Sequence, residues 1–411
     1  MTGLEIGALA CLAFWVGLSL DRSRAWPRES RLPECEKSAN RRRSGPVCAV
    51  IPARDEEKTL ARTLRSLLQQ DAVDLVVVAN DGSQDSTAEV VDRVAEESVR
   101  GPALRRIEVP PPPAGWSGKV HALAYSTARI LEDEALMGAE DGWWLFGDAD
   151  IEQAPSTVRA LLAIAESREA GGPYDLVSVM ARLHTASFWE RLLIPPFVFF
   201  FQLLYPFRRV RNARSAVAAA AGGCILVRRT AYAQVGGHAA IRDALIDDVA
   251  LARLIKTSGG RVWLGLDENV RSIRPYCGLS ELWRMVSRSA FVQLRYRYDL
   301  LALVILGLAV FVVAPPLLIV AGGASAATGA VSVPAGLRIM IWAGAAWLLQ
   351  VLSLLPSVRH HRVASVFGFT LPVAGALYGL MTLSSAWSHL SGRGPRWKGR
   401  SYPDRQGKPG D

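Results

Sequence analysis

Two aspartates separated by one residue, Asp148-Ala149-Asp150, follow a short apolar run, Trp143–Phe146, and a glycine at 147. In an extended segment alternate side chains point the same way, so this spacing predicts that both carboxylates face one ligand. Two close carboxylates repel unless a cation neutralises them. Hard oxygen donors suit Mg²⁺ or Mn²⁺, which usually take further oxygens from substrate phosphates. A lone D-x-D triplet is short and recurs by chance. It gains weight from two further polar groups that also close apolar runs: Arg54-Asp55-Glu56 after residues 47–51, and Asn80-Asp81 after residues 75–79. One such acid is ordinarily a turn residue or a helix cap. Three at the ends of strands in one sheet define an acidic rim.

Other segments could complete a site there. Four prolines at 110–113 stiffen the approach to Ala114-Gly115-Trp116-Ser117-Gly118-Lys119, whose glycines permit a tight loop that brings Lys119 to a ligand. The spacing is not that of a Walker loop, and the bland reading is a solvated surface lysine. Asp247 and Asp248 precede Leu251, Leu254 and Ile255 at helical spacing. They suit capping, and an acid at a helix start also suits a general base, held ionised and aimed outward. His238, after Gly236-Gly237, reads as a turn histidine. Residues 271–297 carry six arginines and one acid, with Arg284 and Arg288 on one helix face. Such a stretch can grip a diphosphate or touch anionic lipid headgroups.

The elements that must position these groups alternate. Apolar runs at 47–51, 75–79 and 143–146 read as strands, and residues 56–70 and 86–94 as helices. That alternation predicts an α/β domain, a mostly parallel sheet with flanking helices, and ligands bind beyond the carboxyl ends of such strands. The domain organisation follows from charge and hydropathy. An N-terminal membrane anchor occupies 1–22, a basic linker 23–45 ends in Arg41-Arg42-Arg43, the α/β domain fills 46–298, transmembrane helices fill 299–385, and a basic tail fills 386–411. Residues 186–207, with Pro195-Pro196 and three consecutive phenylalanines, read as an interfacial segment. The basic linker, the loop 357–362 and the tail all favour the cytoplasmic side, placing the domain on the inner face of the cytoplasmic membrane. Four full spans would put the tail outside, and the sequence leaves that conflict open.

With 411 residues, half of them hydrophobic and 21% charged, wholesale disorder is excluded. The five cysteines form no C-x-x-C pair, which argues against structural zinc and a disulfide framework. The net charge of +9 gathers near the apolar segments and not on one face interleaved with aromatics, so no nucleic-acid partner is expected. The closing apolar segments hold almost no polar groups, which counts against a transporter.

In order and spacing, VIPARDEE at 50–57, ANDGSQDST at 79–87, GWSGK at 115–119, GDAD at 147–150, the GG-containing segment 222–237 and IDDVALARLIKTSG at 246–259 resemble the family 2 glycosyltransferases of GT-A fold. Together with the apolar ends, they look most like the hopanoid-biosynthesis-associated membrane subgroup, and are similar to ceramide and carotenoid glycosyltransferases. The resemblance implies that Ala53, Arg54, Glu56 and Asp81 line the nucleoside of a nucleotide-sugar donor. It implies that Lys119 approaches the phosphates, that Asp148 and Asp150 bind the nucleotide sugar with Asp150 on a Mg²⁺ or Mn²⁺ ion, and that Asp248 deprotonates the acceptor. Arg288 would stand where relatives carry the Arg of Q-x-x-R-W. Here the segment reads Met285-Val286-Ser287-Arg288-Ser289, without the Gln or Trp, which points to transfer of a single sugar to a membrane lipid, a hopanoid first, and away from polymer synthesis. A polyprenyl-phosphate sugar transferase, a polysaccharide-synthase-like enzyme and an inactive nucleotide-sugar-binding protein are the alternatives. Oligomeric state is not legible.

Overall fold

The computed structural model describes residues 1–24, 26, 32–33, 45–132, 142–167, 172–391, and the backbone of 396–397 and 400–401. The Arg41-Arg42-Arg43 run lies outside these residues. Among them, eight strands form one sheet. In chain order they are β1 (Val47–Ala53), β2 (Leu75–Asn80), β3 (Leu104–Glu108), β4 (Trp143–Phe146), β5 (Ile151–Gln153), β6 (Leu176–Arg182), β7 (Ile225–Arg228) and β8 (Val262–Ser272). Their order across the sheet is β3-β2-β1-β4-β7-β6-β8-β5. The first four are parallel; β7 is inserted antiparallel between β4 and β6, and β5 closes the edge antiparallel to β8.

The strand β1 shows why the sheet is central. All seven of its residues are buried. Val47, Ala49, Ile51 and Ala53 enter one core layer, and Cys48 and Val50 enter the opposite one. That is the period-2 alternation of a strand covered on both faces. Helices Leu60–Leu68, Thr87–Glu97 and Thr157–Ala165 cover the first face, and Gly118–Leu131 and Asp247–Thr257 the second.

Four helical segments are long and apolar enough to cross a membrane: Gly3–Leu20, Tyr298–Ala327, Val333–His360 and Ser365–Leu390. A Pro315-Pro316 pair inside the second would by itself break or kink a helix, and it is absorbed by a π turn at Leu308–Val313, with the prolines in the first turn of the helix that follows. Neither proline can donate to the carbonyls four residues back. Trp15 Nε1 reaches Phe311 O at 2.6 Å, and Gln350 Nε2 reaches Phe311 O and Val312 O at 2.9 and 3.3 Å. Neighbouring helices thus satisfy the backbone that the prolines leave open.

Residues 186–207 are mostly one helix, Phe188–Leu204, opened by a Ser187/Glu190 capping box and containing both prolines. Much of it is buried against the apolar helices: Ser357 Oγ donates to Pro195 O at 2.8 Å and Tyr378 Oη to Leu193 O at 2.8 Å. The last apolar segment meets the α/β domain at both ends. Near its start Arg362 pairs with Glu268 at 2.8 Å and Thr185 Oγ1 donates to His361 O at 3.1 Å. Near its end Trp283 Nε1 donates to Ser384 Oγ and Phe291 N to Ser385 Oγ, each at 3.1 Å. Among the described cysteines, Cys11, Cys48, Cys224 and Cys277 are free, and the first three are buried as expected of small apolar groups.

Candidate active site

The parallel strands end along one edge, and their exits are tied together. Asp81 N donates to Ala53 O at 2.9 Å, so the ends of β1 and β2 meet. Arg54 Nη1 donates to Asp81 O at 2.6 Å and lies 4.0 Å from its carboxylate, which is buried. Asp55 adopts φ +53°, and its backbone N–H donates to Ser83 Oγ at 3.1 Å while its carboxylate accepts from Gln84 N at 2.8 Å. A left-handed aspartate is costly unless local hydrogen bonds hold it, and here they do. Ala53, Arg54, Glu56 and Asp81 therefore stand together at the β1–β2 exits.

Beyond β4 the chain turns. Residues 149–150 are in a turn, and Ile151 N donates to Asp148 O at 3.2 Å. The D-A-D triplet is therefore not extended, and its carboxylates have different partners, contrary to the same-side expectation. Asp148 Oδ1 lies 2.8 Å from Lys119 Nζ. Asp150 Oδ2 accepts from Ser272 Oγ at 2.9 Å and Arg274 Nε at 3.1 Å. The physical reason lies in the pairing of β5: Ile151 faces Ser272 in register on β8, which draws Asp150 toward the 272–274 segment. The same Arg274 guanidinium binds Glu56. Burial and the neighbouring Asp148 push the Asp150 carboxyl above the usual carboxylate range.

Lys119 is in the first turn of Gly118–Leu131, with Ser117 held by a 2.7 Å bond from its N–H to Arg242 O. Its ammonium also lies 3.3 Å from Asp247 Oδ2. Burial disfavours the ammonium, but Asp148 and Asp247 outweigh that and hold it well above the ordinary lysine range. Burial likewise disfavours the Asp247 carboxylate, but Lys119 and His238 keep it below its usual value. Asp248 behaves oppositely. Burial first, and then Asp247, push it up to about 7, against Lys119 and two backbone donors, Val249 N at 2.7 Å and Gly222 N at 2.8 Å.

Gly222 is where these groups converge. A Cβ at this position would lie 3.2 Å from Lys119 Nζ, 3.4 Å from Asp248 Oδ2 and 3.7 Å from Asp148 Oδ2. The structure thus brings 119, 148, 222, 247 and 248 to one place. Arg288 lies on the helix Leu279–Gln293, and its charge acts on Tyr276. The arginine in contact with Asp150 and Glu56 is Arg274. Tyr276 is pushed up to about 12 by burial and by Asp150, and Tyr205 is raised by burial and by Asp248, so both phenols stand near the acids. Arg274, Tyr205 and Tyr276 were not singled out from the sequence, while Asp247 was read only as one of two acids at a helix start and Gly222 only as part of a glycine-containing segment. The register of β5 on β8 places Arg274, and no spacing rule reveals it. His238 is buried in the 3₁₀ helix Gly237–Ile241 and not in a turn as expected, bonded through Nδ1 to Tyr232 Oη at 2.8 Å and lowered to about 4 by burial.

Among the described residues, no group of three or more His, Cys, Asp or Glu side chains is arranged to hold a metal. Asp148 and Asp150 are carboxylates within electrostatic reach of each other, the donor type that a divalent cation takes when its other oxygens come from a diphosphate. The donor set fits a divalent cation on those terms.

Residues 45–289, more than half of the chain, fit the family model described as Glycosyltransferase like family 2. The chain belongs to this family. It is a glycosyltransferase with a GT-A-type sheet. Over 152 residues it is 27% identical to 4,4'-diaponeurosporenoate glycosyltransferase of Staphylococcus haemolyticus (strain JCSC1435), covering 34% of this chain. The chain spans 36% of that relative's length. Among solved structures it resembles the mannosyltransferase PcManGT from Pyrobaculum calidifontis, in complex with GDP-Man and Mn²⁺, at 18% identity and TM-score 0.56. That likeness covers 93% of this chain and 99% of the other, and it shows the fold.

Proposed function

We propose that this glycosyltransferase moves one sugar, with inversion, from a nucleotide-diphosphate sugar, a UDP-sugar first, to a hydroxyl of a membrane lipid. The observation that carries the reading is the convergence of Lys119, Asp148 and Asp248 around Gly222. A buried acid raised to about 7 has the proton affinity a general base needs near neutral pH, and a fixed ammonium beside it suits a departing diphosphate.

In this mechanism Asp248 takes the proton from the acceptor hydroxyl. The acceptor oxygen forms a bond to the anomeric carbon as the carbon–oxygen bond to the diphosphate breaks, and the electron pair leaves with the phosphate. Lys119 stabilises the charge that builds on the leaving group, with Arg288 as a second cation. Ala53, Arg54, Glu56 and Asp81 hold the nucleoside at the β1–β2 exits. Asp150 and Asp148 would hold a Mg²⁺ or Mn²⁺ ion, which would supply charge neutralisation at the diphosphate.

A lipid acceptor is supported by the apolar helix Phe188–Leu204, which links the domain to the membrane-crossing helices and leads into Tyr205 beside Asp248. The partial likeness to a diaponeurosporenoate glycosyltransferase and the resemblance to the hopanoid-associated subgroup make a polycyclic or polyene lipid the first candidate, a hopanoid before others. The polyprenyl-phosphate alternative fits Asp248 less well, because an acceptor phosphate is already ionised at neutral pH and needs no base. The domain faces the cytoplasm in this reading. Because the last apolar segment meets the domain at both ends, it re-enters on the domain side in this reading.

The test is purified protein in bilayers, supplied with Mn²⁺ and a panel of nucleotide sugars, with nucleoside diphosphate release measured with and without a hopanoid alcohol. Lipid-stimulated release, lost in Asp248→Asn, supports the reading. Transfer to a polyprenyl phosphate that survives Asp248→Asn would replace it with the alternative.

A further inference from the structure

On the outer edge of the sheet, away from the convergence at Gly222, β5 and β8 border a polar cavity of about 640 Å³. Its lining includes Arg62, Arg65, Arg182, Arg271 and Arg362, against two acids, Glu152 and Glu268. Five guanidinium groups against two carboxylates leave a formal excess of three positive charges. The acids are already shared. Glu152 accepts from Arg62 at 2.8 Å and from Arg271 at 3.0 Å, and Glu268 from Arg182 at 3.3 Å and Arg362 at 2.8 Å. Arg65 turns its charge partly outward to Glu97 at 2.7 Å. Arg182 is the most enclosed, with a side chain 17% exposed. Burial, then Arg362 and Arg271, hold its guanidinium below the usual arginine range, so the repulsion among these cations is not fully offset by the protein.

The position of the cavity identifies what would offset it. Arg362 belongs to the short connection between two of the apolar helices, Val333–His360 and Ser365–Leu390. One wall is therefore at the membrane boundary, and the others are in the domain. Guanidinium groups bind phosphate oxygens in bidentate fashion, and basic pockets at such boundaries suit lipid phosphates. We propose that this cavity binds the phosphate group of an anionic membrane lipid, clamping the loop at 362 to the β5–β8 edge. The site is separate from the donor and acceptor positions proposed above and does not depend on them; it rests only on the apolar helices lying in a bilayer. It has a route to the reaction centre, because Glu152 faces Arg271 on the same paired strands that place Asp150 beside Ser272 and Arg274.

The experiment is native mass spectrometry of the full-length protein in micelles containing phosphatidylglycerol, with phosphatidylcholine micelles and inorganic phosphate as separate arms. We expect phosphatidylglycerol to be retained, phosphatidylcholine not, and inorganic phosphate at millimolar concentration not to displace the lipid. The doubly substituted Arg182→Ala/Arg362→Ala protein should bind about a hundredfold more weakly, since it loses two charge-assisted hydrogen bonds to the phosphate. Glu268→Gln should bind more tightly than wild type, a direction that loss of a purely structural ion pair would not give. Arg129→Ala, which removes an exposed pair with Glu132 elsewhere on the surface, should leave retention unchanged. Equal retention by the Arg182→Ala/Arg362→Ala and wild-type proteins, weaker binding by Glu268→Gln, or efficient displacement by inorganic phosphate would each overturn the proposal.

Discussion

Asp150 and Asp248 stand at the same sheet edge, yet their surroundings are arranged in opposite ways. Asp150 is met by a guanidinium and a hydroxyl, and Arg274 is shared with Glu56 across two strand exits. Asp248 is met by backbone N–H groups of Val249 and Gly222 and stands beside a second acid, while the nearby ammonium contacts Asp247 and Asp148 directly. One half of the site carries a fixed guanidinium shared by two carboxylates, which suits holding an anionic donor even though burial and Asp148 still raise Asp150. The other keeps one carboxylate short of compensation, which raises its affinity for a proton. The difference teaches that a row of aspartates becomes a site only when its counter-charges are distributed unequally.

The comparison can be broken most directly at Asp248. Asp248→Asn should lower kcat by about 10²–10⁴ while leaving nucleoside diphosphate binding, followed by calorimetry, near wild type. Loss of donor binding in that variant would mean that the two halves are not separate. Next in size is Arg274→Gln, which should weaken binding of the donor nucleotide with Mn²⁺ by about tenfold, on the usual worth of a charged hydrogen bond. At saturating donor its kcat should change less than its KM. A kcat effect as large as that of Asp248→Asn would move Arg274 into the other half.

A smaller effect sharpens the proton argument. Asp248 is raised to about 7, so it is mostly protonated below that pH and cannot accept the acceptor's proton. The expected kcat profile rises as pH increases through about 7. In Lys119→Met the limb should move to higher pH, because the cation that favours the ionised form is gone; a limb that stays in place or moves down would remove Asp248 as its source. Smallest is Tyr205→Phe, which deletes the 2.6 Å bond from Tyr205 Oη to Gln293. A neutral hydrogen bond is worth about 1 kcal/mol, so acceptor KM should rise only a few-fold, with donor binding unaffected in a titration.

Much of the frame was legible before any coordinates. The runs at 47–51, 75–79 and 143–146 are strands within a residue or two, because β-branched and aromatic residues between Pro, Gly and Asp leave few other choices. The apolar ends were legible from length alone. Less visible was how prolines would be tolerated. By itself Pro315-Pro316 would break or kink a helix, but Trp15 and Gln350, hundreds and tens of residues away, supply the missing donors and the helix continues through a π turn.

By itself the sequence determined the α/β alternation, the acids at the strand exits and the apolar segments, since each is written in local period and composition. It also carried Lys119 and Asp248 as candidates, through their short motifs. Only the tertiary structure decided which groups touch. Strand register set Arg274 against Asp150, the helix starts at 118 and 247 set Lys119 against Asp247 beside Gly222, and a turn at 149–150 sent the two aspartates of the triplet to different partners. Those contacts join residues distant in the chain, 124 positions apart in the case of Asp150 and Arg274, and no local pattern in a chain encodes a distance of that kind.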